Sequence, residues 1–406
     1  MGININRSIA NGIILNKQER IYSIILFAVV AWSIIARFSI YSSERSGVFV
    51  YGGFILASIL FMAVSPSCFN GTNRKQGLLI TIPFLVAYFF SSIVNNYFVE
   101  ITPFLMLIFA FFFISSKDEI KIKSFDLFFR FLCLLLMLSL IEFIIFELTG
   151  KMIVLAQVEH PGALITVYFD HGFFNLVRHH DDIIRFQSLA NEPGLIGTLC
   201  GLLLFVVGDI KQYRNGYYIL WISGILTFSL AFYVFAAIRL ITSVSNNKKQ
   251  VFAILAVLAI LFVVFGSYIQ ELVINRIMSE GHGDNRSDEM LNLAFAQAVS
   301  DGTIIFGKGY RSYVSFIESG VAGAIVWIYQ FGVIALILLF CVYNSIFKRK
   351  INKLVVPRST YLLFLLVFWL SFYQRQTVDT PYTLMVFMAA PLLYNMVFDG
   401  SLQETK

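Results

Sequence analysis

The sequence predicts an all-α, polytopic membrane bundle, and three observations carry that expectation. The 406 residues are 58% hydrophobic and only 13% charged, with a mean hydropathy of +0.78, whereas a soluble domain carries about 25% charged residues. The apolar residues form runs of span length, and about 20 such residues cross a bilayer as a helix. Lys and Arg gather in alternate connections between those runs, the bias that orients membrane helices with their basic loops inside. The whole chain, 1–406, reads as a single membrane domain with no room for a separate soluble one.

Spans are expected at 21–40, 47–64, 77–94, 101–115, 125–148, 192–208, 251–270, 321–347, 361–372 and 382–398. No small-residue cleavage site trails the first, so it is expected to stay as an uncleaved span. The stretch 216–244 decides the parity. As one crossing it would put the basic linker from Lys348-Arg349-Lys350 to Arg358 outside and leave the two long loops, 149–191 and 271–319, on opposite faces. A hairpin breaking near Thr227-Phe228-Ser229 restores a consistent orientation and gives about twelve crossings, two of them short.

On that arrangement the inside segments hold most of the basic residues, among them Arg74-Lys75, Lys117, Lys121, Lys123, Lys211, Arg214 and Lys248-Lys249, while the short outside loops hold Arg45 and Arg375. Both termini are then inside and both long loops outside. The net charge of +6 is mostly this orientation signal, and there is no basic aromatic patch of the kind that binds nucleic acid. The four cysteines, Cys68, Cys133, Cys200 and Cys341, lie in or beside apolar runs without metal-site or disulfide spacing. No internal repeat is visible, which speaks against the inverted repeats of many transporters.

Lipid tolerates neither charge nor unsatisfied backbone, so chemistry on a polar substrate is expected in the two long loops. The first carries Glu159-His160, Asp170-His171, Arg178-His179-His180-Asp181-Asp182 and then Arg185, leading to Asn191-Glu192-Pro193-Gly194. Asn191 or Glu192 can cap the following helix, since Pro193 suits a first helical turn. Arg185 beside such a helix mouth would suit a phosphate; equally, it can pair with Asp181, Asp182 or Glu192 as a surface ion pair. The His179 to Asp182 run lacks the i,i+4 pairing of a helical metal site, and no metal or other cofactor is expected.

The second loop carries Arg276, then His282-Gly283-Asp284-Asn285-Arg286-Ser287-Asp288-Glu289, an amphipathic run at 290–299, and Gly307-Lys308-Gly309-Tyr310-Arg311. Asn285 or Ser287 suits an N-cap with Asp288 and Glu289 in the first turn, which sets Arg286 at a second helix mouth; a local pair with Asp284 or Glu289 is the plainer alternative. The glycines around Lys308 let the backbone turn closely beside Arg311, and Gly307-Lys308-Gly309 is too short for a P-loop. Arg239 is expected to snorkel toward the inner interface. Arg375, with Asp379 and Pro381 at an outer span end, either lines the same outer cavity or makes an interfacial ion pair.

An Arg followed by Asn-Glu-Pro-Gly at a span mouth, then a polar loop with Arg and acids, an amphipathic helix and a Gly-x-Gly-Tyr turn, resembles the bacterial O-antigen polymerase (Wzy-type) and O-antigen ligase superfamily. Polymerases of that group carry an Arg and a Gly separated by fifteen residues in each of two periplasmic loops, and Arg185 to Gly201 and Arg286 to Gly302 have that spacing. The resemblance is sharpest over 185–332, while the N-terminal third matches only in being spans. The ligases place a functional His well after the second-loop Arg; here no His follows His282, a departure that favours polymerase.

The resemblance implies a glycosyltransferase of the bacterial inner membrane, and because no nucleotide-sugar site with paired Asp residues is evident a metal-independent reaction is expected. Such an enzyme would transfer a glycan from undecaprenyl diphosphate to a hydroxyl of a fresh lipid-linked repeat unit at the periplasmic face. Arg185 and Arg286, assisted by Arg276 or Arg311, would hold the diphosphates, because Arg binds phosphate bidentately without titrating. Glu192 is the first candidate for the base, with Asp284, Asp288, Glu289 or His282 in reserve; Tyr310 and Arg375 would complete the substrate contacts. A polysaccharide chain-length regulator is a candidate protein partner. An O-antigen ligase and a lipid-linked oligosaccharide flippase are the competing expectations; ionisable residues deep in spans would favour the flippase, whereas Arg37, Arg130 and Arg239 fall toward span ends.

Overall fold

The computed structural model of the protein describes residues 15–38, 52–53, 55, 59, 62, 65–94, 101–161, 166–178, 184–190, 192–208, 210–244, 289–309, 312, 323–374 and 380–403. Among these, eleven α-helices supply nearly all the regular structure: α1 Lys17–Phe38, α2 Gly71–Val94, α3 Ile101–Ser115, α4 Asp118–Thr149, α5 Pro193–Val207, α6 Arg214–Leu226, α7 Leu230–Val244, α8 Glu289–Ser300, α9 Gly323–Lys350, α10 Arg358–Gln374 and α11 Pro381–Gln403. Three described segments, Asp118–Thr149, Gly323–Lys350 and Pro381–Asp399, are long and apolar enough to cross a membrane. Of the expected spans, 251–270 lies outside the described residues, and so does most of 47–64.

Burial orders these helices from centre to rim. The apolar window of α11 is 83% buried, against 39% for α4 and α9, so α11 is a core element and the other two leave most of their window unburied. Thirteen of the fifteen residues of α5 are buried, which makes it the second central helix. Aromatic rings tie α9, α10 and α11 together: Phe387 stands 4.7 Å from Phe368 and 4.8 Å from Tyr343, centroid to centroid. Such offset and tilted pairs add to the burial of large rings.

One end of the bundle is held by charge. Asp118 and Glu119 open α4, where acids complement the helix dipole. The Asp118 carboxylate accepts from Lys350 Nζ at 2.7 and 2.9 Å and from Lys121 Nζ at 3.1 Å. Lys350 also donates to Asn73 Oδ1 at 2.6 Å, and its own carbonyl accepts from Asn395 at 2.8 Å. Beside this network Lys117 reaches Glu19 at 2.7 Å. The starts of α1, α2 and α4 and the end of α9 therefore meet at one end, with Asn395 of α11 beside them. Because α9 finishes where α4 begins, the two run antiparallel, and the described parts of both long loops sit at the opposite end.

The stretch 216–244 is broken where the parity argument requires. Helix α6 ends at Leu226 and α7 starts at Leu230, around Phe228 at φ 47° and a Thr227 hydroxyl that donates to the Gly224 carbonyl at 2.6 Å. The chain reverses there: Trp221 and Gly224 of α6 pack on Phe232 of α7. Gly197, Gly201 and Gly208 meet Ser229, Phe235 and Arg239 in turn, so α7 runs parallel to α5. The Arg239 guanidinium thus lies over Gly208 at the C-terminal end of α5, near the end where the charged network stands.

Two features depart from the expected pattern. The first loop is not irregular throughout, because strands β1 Ala156–Pro161, β2 Thr166–His171 and β3 Leu176–Arg178 form an antiparallel sheet in the order β1-β2-β3. Its first hairpin pairs Gln157 with Asp170, and the side chains bond at 3.0 Å. The expected unbroken span at 321–347 is instead a helix interrupted at Gly332, whose φ of 85° and ψ of 168° are non-helical.

Candidate functional site

The site is built on the mouth of α5. Pro193 occupies the first helical turn, as its fixed φ and missing N–H favour. Glu192 is the N-cap residue in an extended conformation, φ −139° and ψ 131°; its side chain makes no capping bond, while its carbonyl accepts from Leu195 at 3.1 Å. Glu192 is exposed, and Arg185 at the other end of the same segment is half-buried.

Between them the chain is fixed at Phe186 and at Ser188. The Phe186 N–H donates to the Leu226 carbonyl at 3.0 Å, and its fully buried ring meets Phe143 edge-on at 5.5 Å. This ties Arg185 to the turn between α6 and α7 and to α4. The Ser188 carbonyl accepts from Leu176 at 2.8 Å. Ser188 itself is buried with φ 52°, an uncommon conformation for a residue with a Cβ. Its hydroxyl stands 2.7 Å from Ser139 Oγ, and Ser139 Oγ is also 2.5 Å from the Phe174 carbonyl and 2.8 Å from that of Leu135. A hydroxyl has one proton to give, so Ser188 donates to Ser139 and Ser139 to a carbonyl.

Glu142 of α4 fastens the sheet to the bundle. Its two carboxylate oxygens accept from the Phe173 N–H at 2.9 Å and the Phe174 N–H at 2.7 Å. Gly172 sits against that carboxylate so closely that any Cβ would collide with it. Neither Glu142 nor Ser139 is among the sequence-derived site residues. The signal for Glu142 was present, since an acid within a long apolar run needs a partner.

The second loop docks on the interrupted helix. Its amphipathic run is α8, and Gly302, at φ 73°, leads into a 3-10 turn at Thr303–Ile305. Asp301 accepts from the Thr303 hydroxyl at 2.5 Å and the Thr303 N–H at 2.9 Å, and pairs with Lys308 at 3.2 Å. The Thr303 donors, then Lys308, hold its carboxyl below the usual range. The N–H groups of Lys308 and Gly309 donate to the carbonyls of Tyr329 at 2.7 Å and Gln330 at 2.9 Å. Those two carbonyls are released by the break at Gly332, so the loop supplies donors where the helix stops supplying its own. The glycines flanking Lys308 thus bring the backbone against α9; where Arg311 lies relative to them is outside the described residues.

Of the expected site residues, Arg185 and Glu192 are described and share one anchored segment. Arg276, His282, Arg286, Tyr310, Arg311 and Arg375 lie outside the described residues. Among the described residues no three His, Cys, Asp or Glu side chains cluster as a metal site would require. No protein-family model matches the chain, and a search of curated proteins returns no match.

Proposed function

We propose that the protein is a multi-pass inner-membrane glycosyltransferase of the O-antigen polymerase type, with about twelve crossings and both termini cytoplasmic. On this reading it joins undecaprenyl-diphosphate-linked repeat units at the periplasmic face. The observation that carries the reading is the anchored segment from Arg185 to Glu192, which holds a cation and a carboxylate at the mouth of a buried helix. The described part of the second loop stands at the same end of the bundle. Positive-inside bias makes that end periplasmic, because the opposite end carries Arg74, Lys117, Lys211, Lys348 and Arg358.

In this mechanism Arg185 and Arg286 hold the diphosphate of the donor, neutralising charge that grows as it leaves. The acceptor hydroxyl loses its proton to Glu192, and its oxygen attacks the anomeric carbon as the carbon–phosphate oxygen bond breaks. The N-terminal end of the α5 dipole adds partial positive charge at the same mouth. Arg276, Arg311, Arg375, Tyr310 and His282 complete the glycan and diphosphate contacts.

Deletion of the gene, read by glycan banding, tests the assignment. A lipid A core carrying only a single repeat identifies a polymerase. Loss of every repeat from the core, with polymer still made on the lipid carrier, identifies a ligase, and cytoplasmic accumulation of lipid-linked repeats identifies a flippase; either result overturns the proposal.

A further inference from the structure

The segment from α8 through the 3-10 turn packs one apolar face on α9, with Leu291, Ala298 and Ile304 against Val326 and Tyr329. Outside that contact Met290, Leu293, Val299, Ile305 and Phe306 are between 45% and 61% exposed, interspersed with the uncharged polar residues Asn292, Gln297 and Ser300. Residues 290–300 contain no charged side chain, and the two charges that follow, Asp301 and Lys308, pair with each other. A water-facing helix of this length would carry charge on its outer face; this one carries apolar groups and uncharged amides.

Its depth is fixed by the docking on α9. Gly332 lies about 27 Å along the helix from Lys350 at 1.5 Å per residue, and a hydrocarbon core is about 30 Å thick. With Lys350 at the inner boundary, the Gly332 break and the turn clipped to it fall at the outer boundary. The exposed residues Val333, Ile334 and Ile337 of α9 begin just beyond the break, so exposed apolar side chains stand on both sides of it.

We propose that residues 289–306 form an interfacial segment that lies in the outer leaflet and presents Met290, Leu293, Val299, Ile305 and Phe306 to lipid acyl chains. The proposal rests on α9 being a membrane span and is independent of the glycosyl-transfer chemistry. The segment then pins the second loop at the membrane surface, where the head group of an amphiphilic substrate would stand.

Collision accessibility in bilayers tests this. The full-length protein carries Cys341→Ser, since the other three cysteines are buried. Leu293→Cys, Val299→Cys, Phe306→Cys, Ile337→Cys and Gln157→Cys are spin-labelled singly and reconstituted into phospholipid vesicles. Labels at 293, 299 and 306 should collide with oxygen several-fold more often than with a water-soluble nickel chelate, like the label at 337 and opposite to that at 157. Nickel collisions at 293, 299 and 306 as frequent as at 157, with 337 still oxygen-dominated, overturn the interfacial segment alone. A nickel-dominated label at 337 overturns the span and the segment together. Low accessibility to both agents with spin–spin broadening shows a second copy of the chain on this face and also overturns the proposal.

Discussion

Gly307 and Gly332 meet backbone to backbone: the position a Cβ would take on either one falls on main-chain atoms of the other's strand of chain. The contact joins the second loop to the only interior break among the described long helices, and it works because neither residue has a side chain. Gly332, at φ 85° and ψ 168°, occupies a region open essentially to glycine alone. Gly332→Ala is therefore expected to cost on the order of 1–3 kcal/mol and to free the 301–309 turn. Gly302→Ala is the control, because Gly302 has positive φ but nothing within 4 Å of its Cβ position. Melting of the detergent-solubilised variants, with proteolysis of the turn, checks this; equal effects at both positions would show that backbone strain alone matters and the contact does not.

Glu142 holds the sheet of the first loop through two N–H groups, and each such charge-assisted bond is worth about 1.5–3 kcal/mol. Glu142→Gln keeps the shape but turns one acceptor into a donor facing an N–H. The expected outcome is faster cleavage within 150–190 under limited proteolysis while the helical far-ultraviolet signal is kept. Unchanged cleavage would show that the Ser139 and Phe186 anchors suffice without Glu142.

The legible part of this molecule was its apolar periodicity. Run length and composition locate α3, α5 and α10 to within three residues, while α2, α4 and α11 each extend five to seven residues beyond one expected end, and Pro193 fixes the start of α5. Charge parity, a non-local constraint, located the break at Thr227 to Ser229. The sheet at 156–161, 166–171 and 176–178 was not legible, because polar His and Asp residues mask its alternation and its attachment to the bundle runs through Glu142, distant in sequence. The break at Gly332 was hidden for the same kind of reason: a glycine in an apolar run is ordinary, and only the docked turn makes it a break. Of the site, the segment from Arg185 to Glu192 was legible from its motif, while its anchoring to Leu226 and Ser139 depends on tertiary contact.

Acid should loosen the end of the bundle opposite the loops. The Lys117 ammonium beside Glu19 holds that carboxyl below its ordinary value of 4.5. A group whose folded pKa is depressed contributes stability that is present above the unfolded pKa and lost as pH falls through the folded one. The contribution of Glu19 should therefore be complete above about pH 5 and fade below 4.5, and Glu19→Gln should flatten the stability profile in that window. Melting of wild type and variant across pH 3 to 7 reads this out; parallel curves would mean that the pair contributes nothing to folding.

Arg185→Lys keeps the charge and loses the planar fork. If Arg185 grips a diphosphate, polymer formation should drop clearly in Arg185→Lys and further in Arg185→Ala, with the same order at Arg286. A surface ion pair predicts otherwise, since such pairs contribute about 0–1 kcal/mol and tolerate lysine. Polysaccharide yield at matched protein levels separates the two, and full activity of Arg185→Ala would remove Arg185 from the chemistry.

Glu192 separates base catalysis from helix capping most directly. Its side chain makes no capping bond, so Glu192→Gln should leave the cap of α5 intact, whereas a capping role would cost of order 1 kcal/mol. If the carboxylate takes the acceptor's proton, the same substitution should slow the chemical step by about 100-fold or more while donor binding persists. Turnover of purified lipid-linked repeat units by the folded, detergent-solubilised variant is the measurement. Near-normal turnover would move the proton transfer to His282 or the acids of the second loop, or show that departure of the diphosphate, held by the arginines, drives the reaction without a strong base.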